Sequence, residues 1–426
     1  MKSSSNSAAI DTREFQTSWR ILVLAMLGIG ISINSSLLYG FGTLVVPLEE
    51  AFGWSRSALQ IAITFLFIGA VIALQVVGWL NLRYGLKRVT TVSMSLTVLG
   101  YLTATQIGGS IWTLYLVFVL IPILSIGCLA VSWTQLLNMW FEKNRGLALA
   151  IGLSGTGLAA ATIPPLLSWG ISTWDWRAAF IILALINLLL LLPLTMRWFS
   201  VPEPKAHEGE ADKLAAHRSI TGLTFKEGFT SKRFWICNIA LALVISVVIG
   251  MVTNTVPILR DLGLSAEEAG LVFSGFGLSL VFGRVLVGYL LDRMWPPAIS
   301  ALSLAMPAIG CIILLSGTTD FTLLLLAAIS IGFGAGAELD IAAFLIARYF
   351  GLREYGRLFG FHIGLLTATS AAAPLLFAAF LSQTGTYDLM LIYCLICSIV
   401  GPLMLLMLGR PPRFDADYRP ISPTAA

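Results

Sequence analysis

Charge is scarce in this chain. Only 11% of the 426 residues are Asp, Glu, Lys or Arg, and 57% are hydrophobic. A soluble domain is roughly a quarter charged. The 26 basic and 22 acidic side chains, unevenly placed, cannot cover a water-soluble fold of this length. That excludes a soluble enzyme, a disordered protein and a nucleic-acid binder. Histidine is also rare, at three residues. No nucleophile–base pair, metal-ligand cluster or soluble sensor domain stands out, which argues against an enzyme or receptor in the membrane. No metal or cofactor is expected. The five cysteines, Cys128, Cys237, Cys311, Cys394 and Cys397, all sit in apolar runs. A secreted disulfide framework does not look like this. Cys394 and Cys397 form a CxxC flanked by Leu, Ile and Tyr, so they read as packing residues. Residues 1–18 are polar and lack an apolar stretch and cleavage site, so no secretory signal is expected.

What the chain does have is long apolar runs. About 20 apolar residues span the bilayer core of about 30 Å. Twelve runs qualify: 20–46, 57–80, 90–108, 111–137, 147–169, 178–197, 234–256, 268–291, 298–316, 321–347, 358–381 and 388–409. Barrel strands are excluded, because they would be about ten residues long and alternating. The expected fold is an all-α membrane protein. Residues 198–233 form the longest polar stretch and divide the spans six and six. This gives a tail (1–18), a six-helix bundle (19–199), a linker with a surface helix (200–232), a second bundle (233–410) and a tail (411–426).

The halves align at an offset of 210. Pro47, Gly53, Ser55, Gly78, Leu80, Arg83, Gly146 and Pro164 map to Pro257, Gly263, Ser265, Gly288, Leu290, Arg293, Gly356 and Pro374. Matches at equivalent places in the hydropathy pattern indicate duplication. Two six-span halves related as parallel repeats are the architecture of one large transporter class. Lys and Arg then fix orientation. With both termini cytoplasmic, the outer loops hold only Arg56, Arg177 and Arg260, and Arg284 lies inside a span. The other 22 of 26 basic residues face the cytoplasm. The net charge of +4 is thus a topology signal. The expected location is the cell's inner membrane.

Two loops carry related motifs. Gly78-Trp-Leu80-Asn-Leu82-Arg83-Tyr-Gly85-Leu-Lys87-Arg88 joins spans 2 and 3, and Gly288-Tyr-Leu290-Leu-Asp292-Arg293 joins spans 8 and 9. They resemble the GxLxDRxGRR signature of the major facilitator superfamily. The resemblance implies twelve helices in two six-helix bundles, with Arg83, Asp292 and Arg293 in gating contacts that break when the bundles rock. Leu82 stands where the first copy should have Asp. The alternative is a basic loop that only obeys the charge rule.

Three further segments resemble the monocarboxylate and oxalate/formate carriers. They are Tyr39–Arg56, Trp140–Gly157 and Trp176–Phe180. That branch implies a small organic anion. Drug/proton antiporters usually carry a GPxxGG-like motif late in span 5. Here Pro164-Pro165-Leu-Leu-Ser168-Trp169 lacks its glycine pair.

A charge inside the membrane costs about 2.5–3.5 kcal/mol on insertion scales and is a functional candidate by default. Arg284 lies eight residues above Asp292, about 12 Å into the membrane at 1.5 Å per residue. A guanidinium forms a bidentate fork with a carboxylate. In the monocarboxylate-carrier family an Arg four residues before the matching Gly binds the substrate carboxylate, and Arg284 and Gly288 keep that spacing. The alternatives are a structural pair with an intramembrane acid, or snorkelling to the surface.

Glu338 and Asp340 lie in span 10, about 200° apart around a helix. Asp340 falls on the stripe of Gly332 and Gly336 and is expected against a neighbouring helix. Glu338 is then the cavity candidate. A carboxyl in low dielectric can hold a proton near neutral pH, so both are candidates for proton coupling. A fixed structural partnership or cation binding are the alternatives. His362 in span 11 is a third proton candidate, with interhelical hydrogen bonding as the alternative. Asn34, Tyr39 and Asn254 are the polar residues expected at the substrate; helix–helix hydrogen bonding competes for each. Two family features are absent. Leu280 replaces an Asp one turn before the Arg, and span 1 has no Lys between Arg20 and Arg56.

The expected protein is a monomeric carrier that alternates access by rocking its bundles. It would move a small organic anion, a monocarboxylate, with protons, among membrane lipid and without nucleic acid. The competing readings are an anion exchanger, or an exporter of hydrophobic or cationic compounds using Glu338.

Overall fold

The computed structural model describes residues 12–141, 144–202, 222–291, 293–351 and 353–412. Twelve helical passages follow one another. In the first half these are α1 (Thr12–Ile31 and Ile33–Phe52), α2 (Arg56–Tyr84), α3 (Leu86–Ala104), α4 (Ile111–Leu124 and Ala130–Trp140), α5 (Arg145–Leu153 and Gly155–Thr173) and α6 (Arg177–Leu185 and Leu192–Trp198). The second half has α7 (Lys232–Asp261), α8 (Ala266–Leu291), α9 (Pro296–Ala305 and Pro307–Leu315), α10 (Phe321–Phe350), α11 (Tyr355–Thr384) and α12 (Asp388–Leu406). Each expected apolar run falls on one passage. Among the described residues, nine helices are long and apolar enough to cross a membrane, and the bent pair of α1 makes a tenth. The other two have reasons to fall short. α3 opens on Lys87 and Arg88 and carries several Ser and Thr. α4 is cut by a 3-10 turn at Ile126–Cys128.

The broken passages follow from local chemistry. α1 bends by 41° at Ser32. A carbonyl freed inside a membrane must find another donor. Ser32 and Ser35 both donate to the Ile29 carbonyl, at 2.7 and 2.8 Å. Ser36 donates to the Ile31 carbonyl at 3.1 Å. Three closely spaced serines thus make the bend tolerable.

The duplicated residues do the same work in each half. Gly53 ends α1 at φ 67° and Gly263 follows α7 at φ 96°, a region open to glycine. Ser55 and Ser265 each accept a backbone N–H at the start of the next helix. Pro47 and Pro257 sit inside α1 and α7.

At the end of the linker, Thr224 and Glu227 form a capping box on the short helix Phe225–Thr230. Leu223 N–H donates to the Phe350 carbonyl at 2.8 Å, docking the linker onto the end of α10. Residues 203–221, most of the expected linker, lie outside the described residues, as do residues 1–11 and 413–426 of the tails. All five cysteines are free and buried.

α8 and α10 pack with very little space between them. A Cβ on Gly332 would overlap the Phe276 backbone, and one on Gly336 the Leu280 backbone. One further step of four along each helix brings Asp340 to Arg284. The glycine stripe therefore sets the register that delivers the charged pair. Gly336→Val should cost at least about 1–3 kcal/mol through overpacking, read as a lower melting temperature of the purified protein. Gly288→Ala, where the added atom meets nothing within 4 Å, should leave it unchanged.

Candidate functional site

Arg284 is 9% exposed and sits where α8, α10 and α5 meet. Its Nε lies 3.1 Å from Asp340 Oδ2 and donates to the Gly336 carbonyl at 3.4 Å. Its Nη1 crosses to the other bundle and donates to the Leu153 carbonyl at 2.7 Å, with Thr156 Oγ1 at 3.5 Å. The break in α5 explains that acceptor. Gly157 N–H bonds to Ser154 rather than to Leu153. The Leu153 carbonyl is left to Thr156 Oγ1 and the Arg284 guanidinium. A desolvated cation thus has a carboxylate on its own side and a freed carbonyl on the other.

Tyr39 reaches the same region from α1. Its ring lies 6.0 Å from Phe276 of α8. Phe276 stands two turns from Arg284 on the same stripe of α8. Glu338 is 9% exposed, and its Oε2 has no hydrogen-bond partner among the described residues. Asn34 is half-buried, two residues past the bend of α1. The structure thus brings Arg284, Glu338, Asp340 and Tyr39 together.

It places two other expected residues elsewhere. Asn254 is fully buried, and its Oδ1 accepts from Gln60 Nε2 of α2 at 2.6 Å. Thr253 Oγ1 donates to Gln60 Oε1 at 3.3 Å. Asn254 therefore belongs to a seam between α2 and α7, with its amide already engaged. His362 is buried between α11 and α7, with Nδ1 2.9 Å from Asn238 Oδ1. Asn238 spends its Nδ2 on the Phe234 carbonyl, so the histidine donates to it. That is the interhelical hydrogen bond weighed from the sequence.

The seam continues to the end where α1 meets α2 and α7 meets α8, a contact that sequence reasoning missed. Arg56 pairs with Glu49 at 2.7 Å and with Asp261 of the other bundle, and lies over the Tyr387 ring. Arg56 is one of only three basic residues in the outer loops, which was the available signal.

The opposite end is different. Thr64 of α2 bonds to the Ala371 carbonyl of α11 at 2.9 Å. Two turns nearer the start of α11, a Cβ on Gly364 would meet nothing within 4 Å, and the same holds for Gly360 and for Gly78 on α2. Arg83 lies over the Trp79 and Tyr84 rings of its own helix, and Arg293, just past the end of α8, over Tyr289. Neither arginine pairs across the bundles among the described residues. Asp292 lies outside the described residues. The described side-chain contacts between the bundles thus gather at the end that holds Arg56 and Asp261.

Two bundles around a buried polar site, sealed at one end, define a membrane carrier. The family model described as Major Facilitator Superfamily matches residues 21–338 and 240–423. The chain belongs to the major facilitator superfamily; it is a multi-pass membrane transporter and not an enzyme. An MFS-type transporter of Gibberella moniliformis is 29% identical over 255 residues, 58% of this chain and 57% of that relative, so the match spans little more than half of that relative's length. The gallate transporter of Pseudomonas putida is 26% identical over 403 residues, 84% of this chain and 88% of the relative. Monocarboxylate transporter 11 of Homo sapiens is 25% identical over 385 residues, 87% and 78%. These relatives place the resemblance in the monocarboxylate branch. A solved D-xylose-proton symporter superposes at a TM-score of 0.70 and 14% identity, covering 95% of this chain and 99% of that one. At that identity the likeness is one of fold.

The seam generates a direct test. Gln60→Cys with Asn254→Cys should be bridged by a short, thiol-cleavable bifunctional reagent, because the tips of the two native side chains meet across the bundles. Transport should stop in the bridged protein and return with reductant. A cross-linked protein that still transports would show that this seam stays shut throughout the cycle.

Proposed function

We propose that this transporter moves a small organic monoanion, a monocarboxylate, across the cell's inner membrane together with protons, as a monomer with cytoplasmic termini. The observation that carries this reading is the Arg284–Asp340 pair at the bundle interface, 3.1 Å apart with Arg284 reaching the opposite bundle. The gallate and monocarboxylate transporters among its relatives support the anion class. One buried cation between two acids suits a monoanion better than a dianion.

In this mechanism a proton on Asp340 weakens its hold on Arg284, and the substrate carboxylate takes its place on the guanidinium. Glu338 is a second protonatable group beside the same cation. Tyr39 and Asn34 contact the remainder of the substrate. Asn254, bonded to Gln60, is assigned to the outer seam rather than to the substrate. His362 has its Nδ1 bonded to Asn238 and serves as a third proton candidate within one bundle. When the bundles rock outward the outer seam parts, and Arg83 and Arg293, with Asp292, close the cytoplasmic end.

Two measurements test the reading. Arg284→Lys and Arg284→Ala should weaken anion uptake about 10–100-fold at equal expression, since a charge-assisted hydrogen bond contributes about 1.5–3 kcal/mol. No effect on anions, with loss of cation export in Glu338→Gln, would favour a cation exporter. Proton coupling is read in uptake under a clamped pH gradient. Asp340→Asn should remove the gradient dependence. If Asp340→Asn, Glu338→Gln and His362→Ala all keep it unaltered, the carrier exchanges anions instead.

A further inference from the structure

Beyond the transport site, the bundles enclose a cavity of about 530 Å³ at the end that holds Arg56 and Asp261. One wall belongs to the first bundle, with Thr43, Val46 and Glu50 of α1, Ile171 of α5 and Asp175 just past the end of α5. The facing wall belongs to the second, with Val256 and Arg260 of α7 and Glu267 of α8. Thr43 stands one turn beyond Tyr39 on α1. The helices that flank Arg284 and Tyr39 therefore also flank this cavity.

The cavity is blind toward Arg284. Beneath it a Cβ on Gly42 of α1 would lie 3.3 Å from the Thr253 carbonyl oxygen of α7. A Cβ on Gly270 of α8 would lie 2.9 Å from Pro165 of α5. The bundles touch at both places. A solute that passes between the bundles at this end, once they part, passes between these walls.

The walls are apolar in depth and charged at the rim. Val256 is buried and Val46 half-buried, whereas Glu50, Asp175 and Glu267 are exposed. Arg260 is the one lining cation among the described residues, and its Nη1 donates to the Leu264 carbonyl at 3.2 Å. Among the described residues, Glu50, Glu267 and Arg260 form no ion pair. Asp175 pairs with Arg177 at 2.9 Å. The helix ends and turns on this face hold eight acidic side chains and three arginines, so the surroundings do not offset the rim. Charge of one sign around a cleft with low-dielectric walls focuses the field into it.

We propose that this cavity is a charge filter on the transport route. Glu50, Asp175 and Glu267 hold anions back from this mouth, and dianions more strongly than monoanions. A potential of about one kT lowers the local concentration of a monoanion about threefold and of a dianion about sevenfold. The filter takes its consequence for the substrate from the reading of an anion carrier, and it sharpens that reading toward a single negative charge. Arg284 binds the carboxylate, while the rim decides which anions arrive from this side.

The test measures access without any substrate. All five native cysteines are buried, so a thiol placed in the cavity by Val46→Cys is the reactive one. The purified full chain in detergent at low salt is treated with two methanethiosulfonates of similar size. One carries a trimethylammonium group and the other a sulfonate, and each rate is divided by its rate with a small free thiol. The cationic reagent should then react about sevenfold faster, the ratio of single opposite charges in a potential of about one kT. Glu50→Gln, Asp175→Asn and Glu267→Gln together should bring the ratio close to one. So should about 1 M salt, which screens charges beyond about 3 Å. Asp320→Asn, which removes a carboxylate from the same face outside the cavity, should leave it unchanged. Equal rates before the substitutions overturn the proposal, as does a preference that survives all three. An equal effect of Asp320→Asn overturns it by assigning the field to the whole face. Failure of both reagents to react overturns it by showing that the cavity is closed to solution. The probes are not substrates, so this result and the Arg284 variants that test the anion reading can fail separately.

Discussion

A guanidinium in the middle of a membrane protein cannot stand alone, and the architecture around Arg284 follows from that constraint. Desolvating a cation requires a counter-charge and saturated donors. Asp340 supplies the charge from α10, and the Leu153 carbonyl supplies an acceptor from the opposite bundle. The first contact requires α8 and α10 to lie almost backbone to backbone, which Gly332 and Gly336 permit. The second requires a break in α5, because an unbroken helix would keep that carbonyl for itself. The same residue is therefore held by one bundle and leans on the other. Any group that takes Arg284 away from either partner alters how the bundles fit together.

The two ends of the molecule use different chemistry. The outer seam combines apolar packing with a buried amide contact, Gln60 to Asn254, and a more exposed charged cluster around Arg56. Buried amide pairs are specific in geometry and cost little when both sides are satisfied. They suit a seam that must close in one register and also part. At the opposite end Arg83 and Arg293 stack on aromatic rings close to them in sequence. Those cations are held locally.

Much of the fold was legible in the chain. Apolar runs of about 20 residues placed all twelve passages, because in a bilayer the backbone must satisfy itself along each segment. The offset of 210 anticipated that Gly53 and Gly263, or Ser55 and Ser265, would do equivalent jobs. The spacing of Gly332, Gly336 and Asp340 was enough to turn Asp340 toward a neighbouring helix, although not to say which one. The breaks were less legible. Ser32 and Ser154 interrupt helices through hydrogen bonds to carbonyls three residues before them, a local competition that hydropathy does not register. Arg56 was counted as an exception to the charge rule, whereas it is a contact between the bundles.

By itself the sequence determined the twelve passages, their duplication and the three charges that lie within them. These follow from transfer free energies and helical periodicity, which act along the chain and can be read from it. Only the tertiary structure decided that Arg284 meets Asp340 and the Leu153 carbonyl, that Asn254 meets Gln60, and which end is shut. Those pairings join residues from 56 to 194 positions apart. They depend on which helix faces are brought together, and the periodicity of a single helix carries no information about the face of another.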